Sequence, residues 1–197
     1  ITTGEISFSG VHKINGSDPT DALGALVASD PSPNPTLKAI GLNCPNPNWI
    51  TKNVLPFSSA RKWAATDFAD EGTYHLGAPD ILLPADALTE KEMVKNYAES
   101  GKRVLALTHS TQHSGDLEVL PDNREPVALV LLEDTVKEDA EEILSFFVSQ
   151  GLTLKVISGD HPATVAAVAQ RAGIPNSDSG FDARDLPEDH VELGKIL

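Results

Sequence analysis

Alternating and periodic apolar positions divide the first two thirds of the chain into short elements. Apolar side chains alternate over residues 5–14, which predicts a strand. Further strands are predicted at residues 50–57, 62–68, 73–76, 103–108 and 117–120. Helical spacing or helix-start signals mark the segment after Asp18, residues 36–42 and residues 88–100. This mixture predicts an α+β domain over residues 1–124, an antiparallel sheet with flanking helices.

The pattern changes in the last third of the chain. Residues 127–132 form a continuous apolar run, typical of a strand in a parallel sheet that is buried on both faces. An apolar helical stripe follows at Ala140, Ile143, Leu144 and Phe147. A strand at 154–157 and a helix at 162–172 complete a β-α-β pattern. Residues 125–197 therefore predict a partial α/β Rossmann-like unit, half-built, so we expect the chain to be part of a longer protein.

Composition restricts the function classes. The 197 residues are 40% apolar, as in a globular protein, and no run approaches the roughly 18 apolar residues of a membrane helix. A formal net charge of −14 repels phosphates and argues against a nucleic-acid partner. Cys44 is the one cysteine, which excludes an internal disulfide and a cysteine-rich metal site. His109 and His113 lie four residues apart, but their polar neighbours favour a loop, and we expect no metal site.

The segment from Phe57 to Trp63, Phe-Ser-Ser-Ala-Arg-Lys-Trp, combines an aromatic ring, two hydroxyls and two cations. The ring offers a flat face to a base, and the cations of Arg61 and Lys62 offer charge to phosphates. On an extended strand Phe57 and Lys62 would point to opposite faces, so a shared pocket requires a bend between them. The alternative is a core-facing phenylalanine and a surface lysine.

A second candidate lies downstream, where Ser158-Gly159-Asp160 follows the predicted strand at 154–157 and precedes a helix beginning at Pro162. Ligands of open α/β sheets bind at the carboxyl ends of strands, and a helix N-terminus favours phosphate. Asp134 has the same placement after the preceding predicted strand. The alternative is that Asp160 or His161 only caps the helix.

Six segments in order resemble one protein family. They are Asp18–Leu23 (family D-P-T-E-x-A-L), Phe57–Lys62 (F-S-x-x-R-K), Gly77–Asp80 (K-G-A-P-E), Arg103–Leu107 (R-x-L-A-[LVA]), Asp134–Lys137 (D-P-x-R) and Ser158–Asp160 (T-G-D). The chain thus resembles the nucleotide-binding domain and part of the phosphorylation domain, of haloacid-dehalogenase type, of P-type cation-transporting ATPases. The residues within these motifs are most similar to those of bacterial calcium or cation exporters.

The resemblance implies site residues. Those implied for nucleotide binding are Asp21, Phe57, Ser59, Lys62, Gly77 and Arg103, and those for the phosphorylation domain are Asp134, Ser158, Gly159 and Asp160. Phe57 would stack on adenine, and Asp21 would accept a hydrogen bond from the adenine amino group. Arg103 would pair with a phosphate, and Gly77 would let the backbone approach the ligand closely. Ile1–Gly4 is similar to the end of the phosphorylation segment, so the phosphorylated aspartate would lie upstream of Ile1 and no catalytic residue lies in this chain.

Several residues depart from the family pattern. Leu76 stands where lysine is usual, Asp21 replaces glutamate, Lys137 replaces arginine, and Ser158 replaces threonine. The leucine removes one cation near the expected nucleotide, and Lys137 loses the bidentate fork of arginine. The shorter carboxylate and the serine hydroxyl keep the chemistry of the residues they replace.

The function implied by the resemblance is ATP-driven cation transport through an aspartyl phosphate. ATP and Mg²⁺ would be the cofactors of the parent protein, and its partners the rest of the same polypeptide and the transported cation. The chain would be a cytoplasmic portion of a bacterial inner-membrane protein, inactive alone. Two alternatives are a haloacid-dehalogenase-type phosphatase with a large cap and a non-catalytic binding module.

Overall fold

The computed structural model describes residues 2–111, 116–158, 162–178, 180 and 187. The strands are β1 (Thr2–Lys13), β2 (Thr51–Leu55), β3 (Trp63–Phe68), β4 (Gly72–Gly77), β5 (Arg103–Ser110) and β6 (Glu125–Val136). The helices are α1 (Thr20–Ser29), α2 (Pro35–Gly41), α3 (Pro79–Leu82), α4 (Leu88–Glu99), α5 (Ala140–Ser149) and α6 (Pro162–Arg171). Two compact units result: residues 4–98 with 102–135, and residues 2–3, 99–101 and the described part from 136 onward.

The first unit is built on one six-stranded sheet with the order β1-β6-β5-β4-β3-β2. The pairs β2–β3, β3–β4, β4–β5 and β5–β6 are all antiparallel. A tight turn before Gly72, whose φ is 73°, joins β3 to β4. The predicted antiparallel sheet with flanking helices is confirmed.

Helices cover both faces of this sheet. On one face α1 and α2 bury Leu23, Leu26 and Ile40 against strand residues such as Leu107 and Val130. On the other face α3 and α4 pack on a second cluster formed by Trp63, Ala65, Leu82, Leu83, Ala106 and Leu129. Along β5 from Val104 to Leu107, and at Leu129 and Val130 of β6, successive residues belong to different clusters, as the two-residue period of a strand requires.

Burial on both faces explains an error about β6. The apolar run at 127–132 predicts a parallel strand opening a second unit, but β6 pairs antiparallel with β5 in the same sheet. An antiparallel strand between two helical layers has no polar face, so its sequence resembles that of a buried parallel strand. The sheet unit therefore extends to Thr135, beyond the predicted limit at Arg124. The functional identities given to the two parts of the chain stay predictions.

Two other predicted strands are not formed. Residues 117–120 make a turn, in which the Asp116 carboxylate accepts the Glu118 N–H (2.9 Å) and Leu117 is buried. Residues 154–157 have no strand assignment. In the second unit α5 and α6 form as predicted, but of the apolar stripe on α5 only Ala140 is buried, while Ile143 is 47% exposed.

His75 is a buried polar residue in the middle of β4. Its ring packs edge-on against Trp63, with 5.6 Å between the centroids. Within the described residues neither ring nitrogen has a hydrogen-bond partner. Burial, with the nearby charges of Arg124 and His109, lowers the pKa of His75 from 6.5 to about 4. The sheet therefore holds a neutral imidazole.

This burial predicts a loss of stability in acid. The unfolded chain protonates His75 near pH 6.5 and the folded chain only near pH 4, so unfolding takes up a proton between these values. The contribution of His75 to the free energy of unfolding is fully present above pH 6.5. It falls by about 3 kcal/mol as the pH drops from 6.5 to 4. His75→Phe should remove that part of the pH dependence. Urea denaturation of both proteins at pH 7 and pH 4.5 measures the difference, and equal acid losses would contradict the expectation.

Candidate functional site

Strand ends gather most of the candidate residues at one end of the sheet. Because adjacent strands run in opposite directions, the ends of β2 and β4 lie beside the starts of β3 and β5. Trp63 at the start of β3 pairs with Gly77 at the end of β4, and Gly77 pairs with Ala106 of β5. Phe57, Ser59 and Lys62 lie in the connection between β2 and β3, and Arg103 begins β5. The register thus brings these five candidates to the same end of the sheet.

The Phe57–Lys62 segment forms a turn, because the strands predicted at residues 50–57 and 62–68 end at Leu55 and begin at Trp63. The Ser58 carbonyl accepts the Lys62 N–H (2.6 Å), and the Ser58 hydroxyl accepts the Arg61 N–H (3.1 Å). Lys62 has the left-handed φ of 66°, which reverses the chain before β3. This turn supplies the bend that Phe57 and Lys62 need to share a pocket. Phe57 is 44% exposed, and Ser59 and Lys62 are exposed.

Gly77 makes room for the protein's own backbone. A β-carbon on this buried glycine would overlap the Lys62 carbonyl and the Trp63 backbone and side chain. The neighbouring Ala78 N–H donates to the same Lys62 carbonyl (2.9 Å). The close approach expected at Gly77 is therefore made by the start of β3, and it fixes Lys62 beside the end of β4.

The two cations of the turn differ in their surroundings. The Arg61 guanidinium donates to the carbonyl oxygens of Pro56 and Trp63 and lies 5.1 Å from the centre of the Trp63 ring. Its charge is directed at the protein, which the sequence did not indicate. Lys62 is exposed and is the cation of this turn that faces solvent.

Acidic residues accompany the cations at the start of β5 and the end of β6. Arg103 Nη2 lies 3.7 Å from Asp134 Oδ2, so two residues predicted for different domains form one ion pair within the sheet unit. Lys102 contacts the Glu133 carboxylate, which also accepts the Ser9 hydroxyl (2.8 Å). An anion that binds Arg103 would have to share it with Asp134.

Asp21 lies apart from the strand ends. It occupies the first turn of α1, where it is exposed while the neighbouring Ala22 and Leu23 are buried. A carboxylate there complements the helix dipole whether or not it contacts a ligand. The strand register that gathers the other candidates does not include Asp21.

A narrow, mainly apolar cleft lies between α1, α2 and the ends of β2, β3 and β4. Its lining residues are Leu26, Asp30, Leu37, Val54, Leu55, Pro56, Ala64, Thr66 and Leu76. The cleft reaches Pro56, the residue before Phe57, and Asp30 and Thr66 are its polar side chains. Leu76, 4% exposed, belongs to the core on this face, where a lysine ammonium would be desolvated. The sequence indicated Leu76 as a departure but gave no signal for Asp30.

The downstream candidates fall in the second unit. Ser158 is exposed and follows residues that form no strand. Gly159 and Asp160 lie outside the described residues, as does His113. His109 stacks on Tyr74, with 4.4 Å between the ring centroids, and its Nε2 lies 2.7 Å from the Glu71 carbonyl. Over the described ranges, no helix has the length and apolar character that crossing a bilayer requires.

The contact at Gly77 predicts a large effect of one methyl group. Gly77→Ala should destabilise the fold by about 2–3 kcal/mol, because the new methyl must displace backbone at Lys62 and Trp63. Gly16→Ala is the control, because its methyl meets nothing within 4 Å and only the left-handed φ of 79° opposes it, at about 1 kcal/mol. Denaturant unfolding compares the two, and amide NMR shifts should localise the Gly77→Ala change to residues 58–63. Equal losses would show that the approach is not tight.

Comparisons with known proteins agree with the motifs. The chain is 39% identical over 179 residues to the calcium-transporting ATPase CtpE of Mycobacterium bovis, covering 90% of this chain and 22% of that protein. It is 31% identical over 204 residues to a probable cation-transporting ATPase, exp7, of Streptococcus pneumoniae, covering 97% of this chain and 25% of that protein. The chain thus spans about a quarter or less of the relatives that it matches. No family model matches the chain.

Solved structures show the same fold. A zinc-transporting PIB-type ATPase, solved in two states, superposes in each with a TM-score of 0.63 at 18% identity, covering 88% of this chain and 26% of that one. At this identity the likeness concerns the fold alone. The chain is therefore homologous to part of the bacterial cation-transporting ATPases, and it has the fold of the corresponding part of a P-type ATPase.

Proposed function

We propose that this chain is the nucleotide-binding part of a bacterial P-type ATPase and binds ATP at the end of the sheet where β2 and β4 finish. One observation supports the proposal: the antiparallel register brings a half-exposed aromatic ring, a solvent-facing lysine and an arginine to the same end of the sheet. In the whole protein, ATP hydrolysis through an aspartyl phosphate would drive cation transport across the membrane, with this chain on the cytoplasmic side. Its relatives are calcium- and cation-transporting ATPases, which supports that reading.

Each residue at the strand ends has a distinct proposed role. Phe57 stacks on the adenine ring, an interaction worth about 1–3 kcal/mol for a base on an aromatic side chain. Lys62 and Arg103 attract the phosphates, and Ser59 adds a hydroxyl close to Phe57. Asp21 accepts a hydrogen bond from the adenine amino group. Asp30 is a second carboxylate that could accept such a bond, because it lines the cleft beside Pro56.

The phosphorylation chemistry is assigned to the longer protein. Mg²⁺ prefers carboxylate oxygens, but Asp134 is paired with Arg103, and the described residues contain no cluster of metal-ligating side chains. The described residues therefore do not fit a magnesium ion. Ser158 and Gly159 stay proposed phosphate contacts, and Asp160 stays a residue proposed to help arrange that site. The sequence holds no Asp-Lys-Thr-Gly segment, so the chain alone should bind ATP without turnover.

The ring of Phe57 gives the first test. ATP at millimolar concentration should shift the NMR signals of residues 57–62, Gly77 and Arg103, and Phe57→Ala should weaken binding by about 5- to 150-fold, the loss of one base stack. Phe146→Ala is the matched control, because this phenylalanine is 59% exposed in the other unit. Absence of shifts at the strand ends would refute the proposed site, and equal losses in the two variants would refute the role of Phe57.

A further inference from the structure

Phe57 and Lys62 lie in a turn that is held against the end of β4 at its Lys62 end. Both side chains are exposed, and the turn is connected to the sheet at Leu55, the end of β2, and at Trp63, the start of β3. Within the turn, Ser58 makes two local hydrogen bonds to the amides of Arg61 and Lys62. These bonds shape the turn but do not join its two ends.

Arg61 joins those ends. Its Nη2 donates to the carbonyl of Pro56, immediately before Phe57, and its Nε donates to the carbonyl of Trp63 (3.3 Å), immediately after Lys62. The same guanidinium lies over the Trp63 ring at 5.1 Å, and that ring is 3% exposed in the core. One side chain thus connects both ends of the turn to each other and to a rigid aromatic residue of the sheet.

The geometry of arginine is needed for this arrangement. A planar guanidinium presents donors in fixed directions and stacks on a ring, whereas a lysine ammonium is a compact charge that cannot span two carbonyls and lie flat on an indole. Because its donors are used in this way, Arg61 has its charge turned inward, unlike the neighbouring Lys62.

We propose that Arg61 is a positioning residue of the nucleotide site: it holds the turn so that Phe57 meets the base, and it does not itself contact phosphate. This assignment rests on the proposed function, because it needs a nucleotide at the strand ends. It distinguishes two adjacent cations that the sequence presents as equivalent.

The test compares ligands with and without phosphate on the 197-residue chain. Arg61→Lys, which keeps the charge, should weaken the binding of adenosine and of ATP by the same factor, about 5- to 10-fold, through poorer stacking. If Arg61 contacted phosphate, the substitution would instead weaken ATP binding and leave adenosine binding unchanged. In a Phe57→Ala background the effect of Arg61→Lys should disappear, because the two residues act through one contact. Amide hydrogen exchange at residues 58–62 should be faster in Arg61→Lys without any ligand.

Arg124→Lys is the matched control. Arg124 also holds backbone carbonyls, those of Ile81, Leu82 and Pro121, but it lies in the β5–β6 connection, outside the turn. This variant should lose stability without a change in adenosine or ATP affinity.

The outcomes separate the two proposals. If the unaltered chain binds and Arg61→Lys binds equally well, or loses only ATP, the positioning role is overturned and the proposed function stands. If the effect of Arg61→Lys persists unchanged without the Phe57 ring, the positioning role is also overturned. If the unaltered chain binds neither adenosine nor ATP, the proposed function is wrong and the assignment of Arg61 is overturned with it.

Discussion

The backbone of Lys62 and Trp63 lies against Gly77 at a distance that leaves no space for a β-carbon. The rest of the site depends on this approach, because the Lys62 carbonyl also accepts the Ala78 N–H and thereby joins the end of the turn to the end of β4. A left-handed φ of 66° at Lys62 lets the chain enter β3 in that register. The turn is thus attached to the end of the sheet and is not an independent loop.

Two helical layers give the sheet its stability and explain its sequence. Leu107 and Val130 face α1 and α2, while Ala106 and Leu129, their neighbours in sequence, face the side of α3 and α4. Central strands with both faces buried are mainly apolar, and Thr73, His75 and Thr108 are buried polar exceptions. His75 shows what such burial costs, because its imidazole is desolvated and its lowered pKa keeps it neutral.

Local patterns predicted most elements of the fold because their signals are local. Strand alternation and helical spacing located β1, β3, β4, β5 and every described helix longer than one turn. The partner of β6 could not be predicted, because burial on two faces does not reveal strand direction. At 117–120 the side chain of Asp116 favours a turn over the strand that apolar content suggested.

For the candidate site, the sequence proposed the residues, whose roles stay predictions, and it did not give their contacts. Six motifs in order identified the residues, and the need for a bend between Phe57 and Lys62 followed from strand periodicity alone. The partners of Arg61, and the pairing of Arg103 with Asp134, depend on strand register and side-chain conformation. The sequence did not predict Asp30 as a cleft residue, because its position there depends on how α1 packs on the sheet.

The charges at the strand ends indicate where the binding energy for a nucleotide must arise. Leu76 contributes no charge, Arg61 is turned inward, and Arg103 is shared with Asp134, so Lys62 is the cation of the turn that faces solvent. The whole chain carries a net charge of −14, which opposes the approach of a triphosphate. Long-range attraction would therefore be weak in the proposed ATP site, and the proposed contact between Phe57 and the base would have to supply a large share of the affinity. Dependence on one exposed ring would make the rigidity of the turn that carries it a requirement of that site.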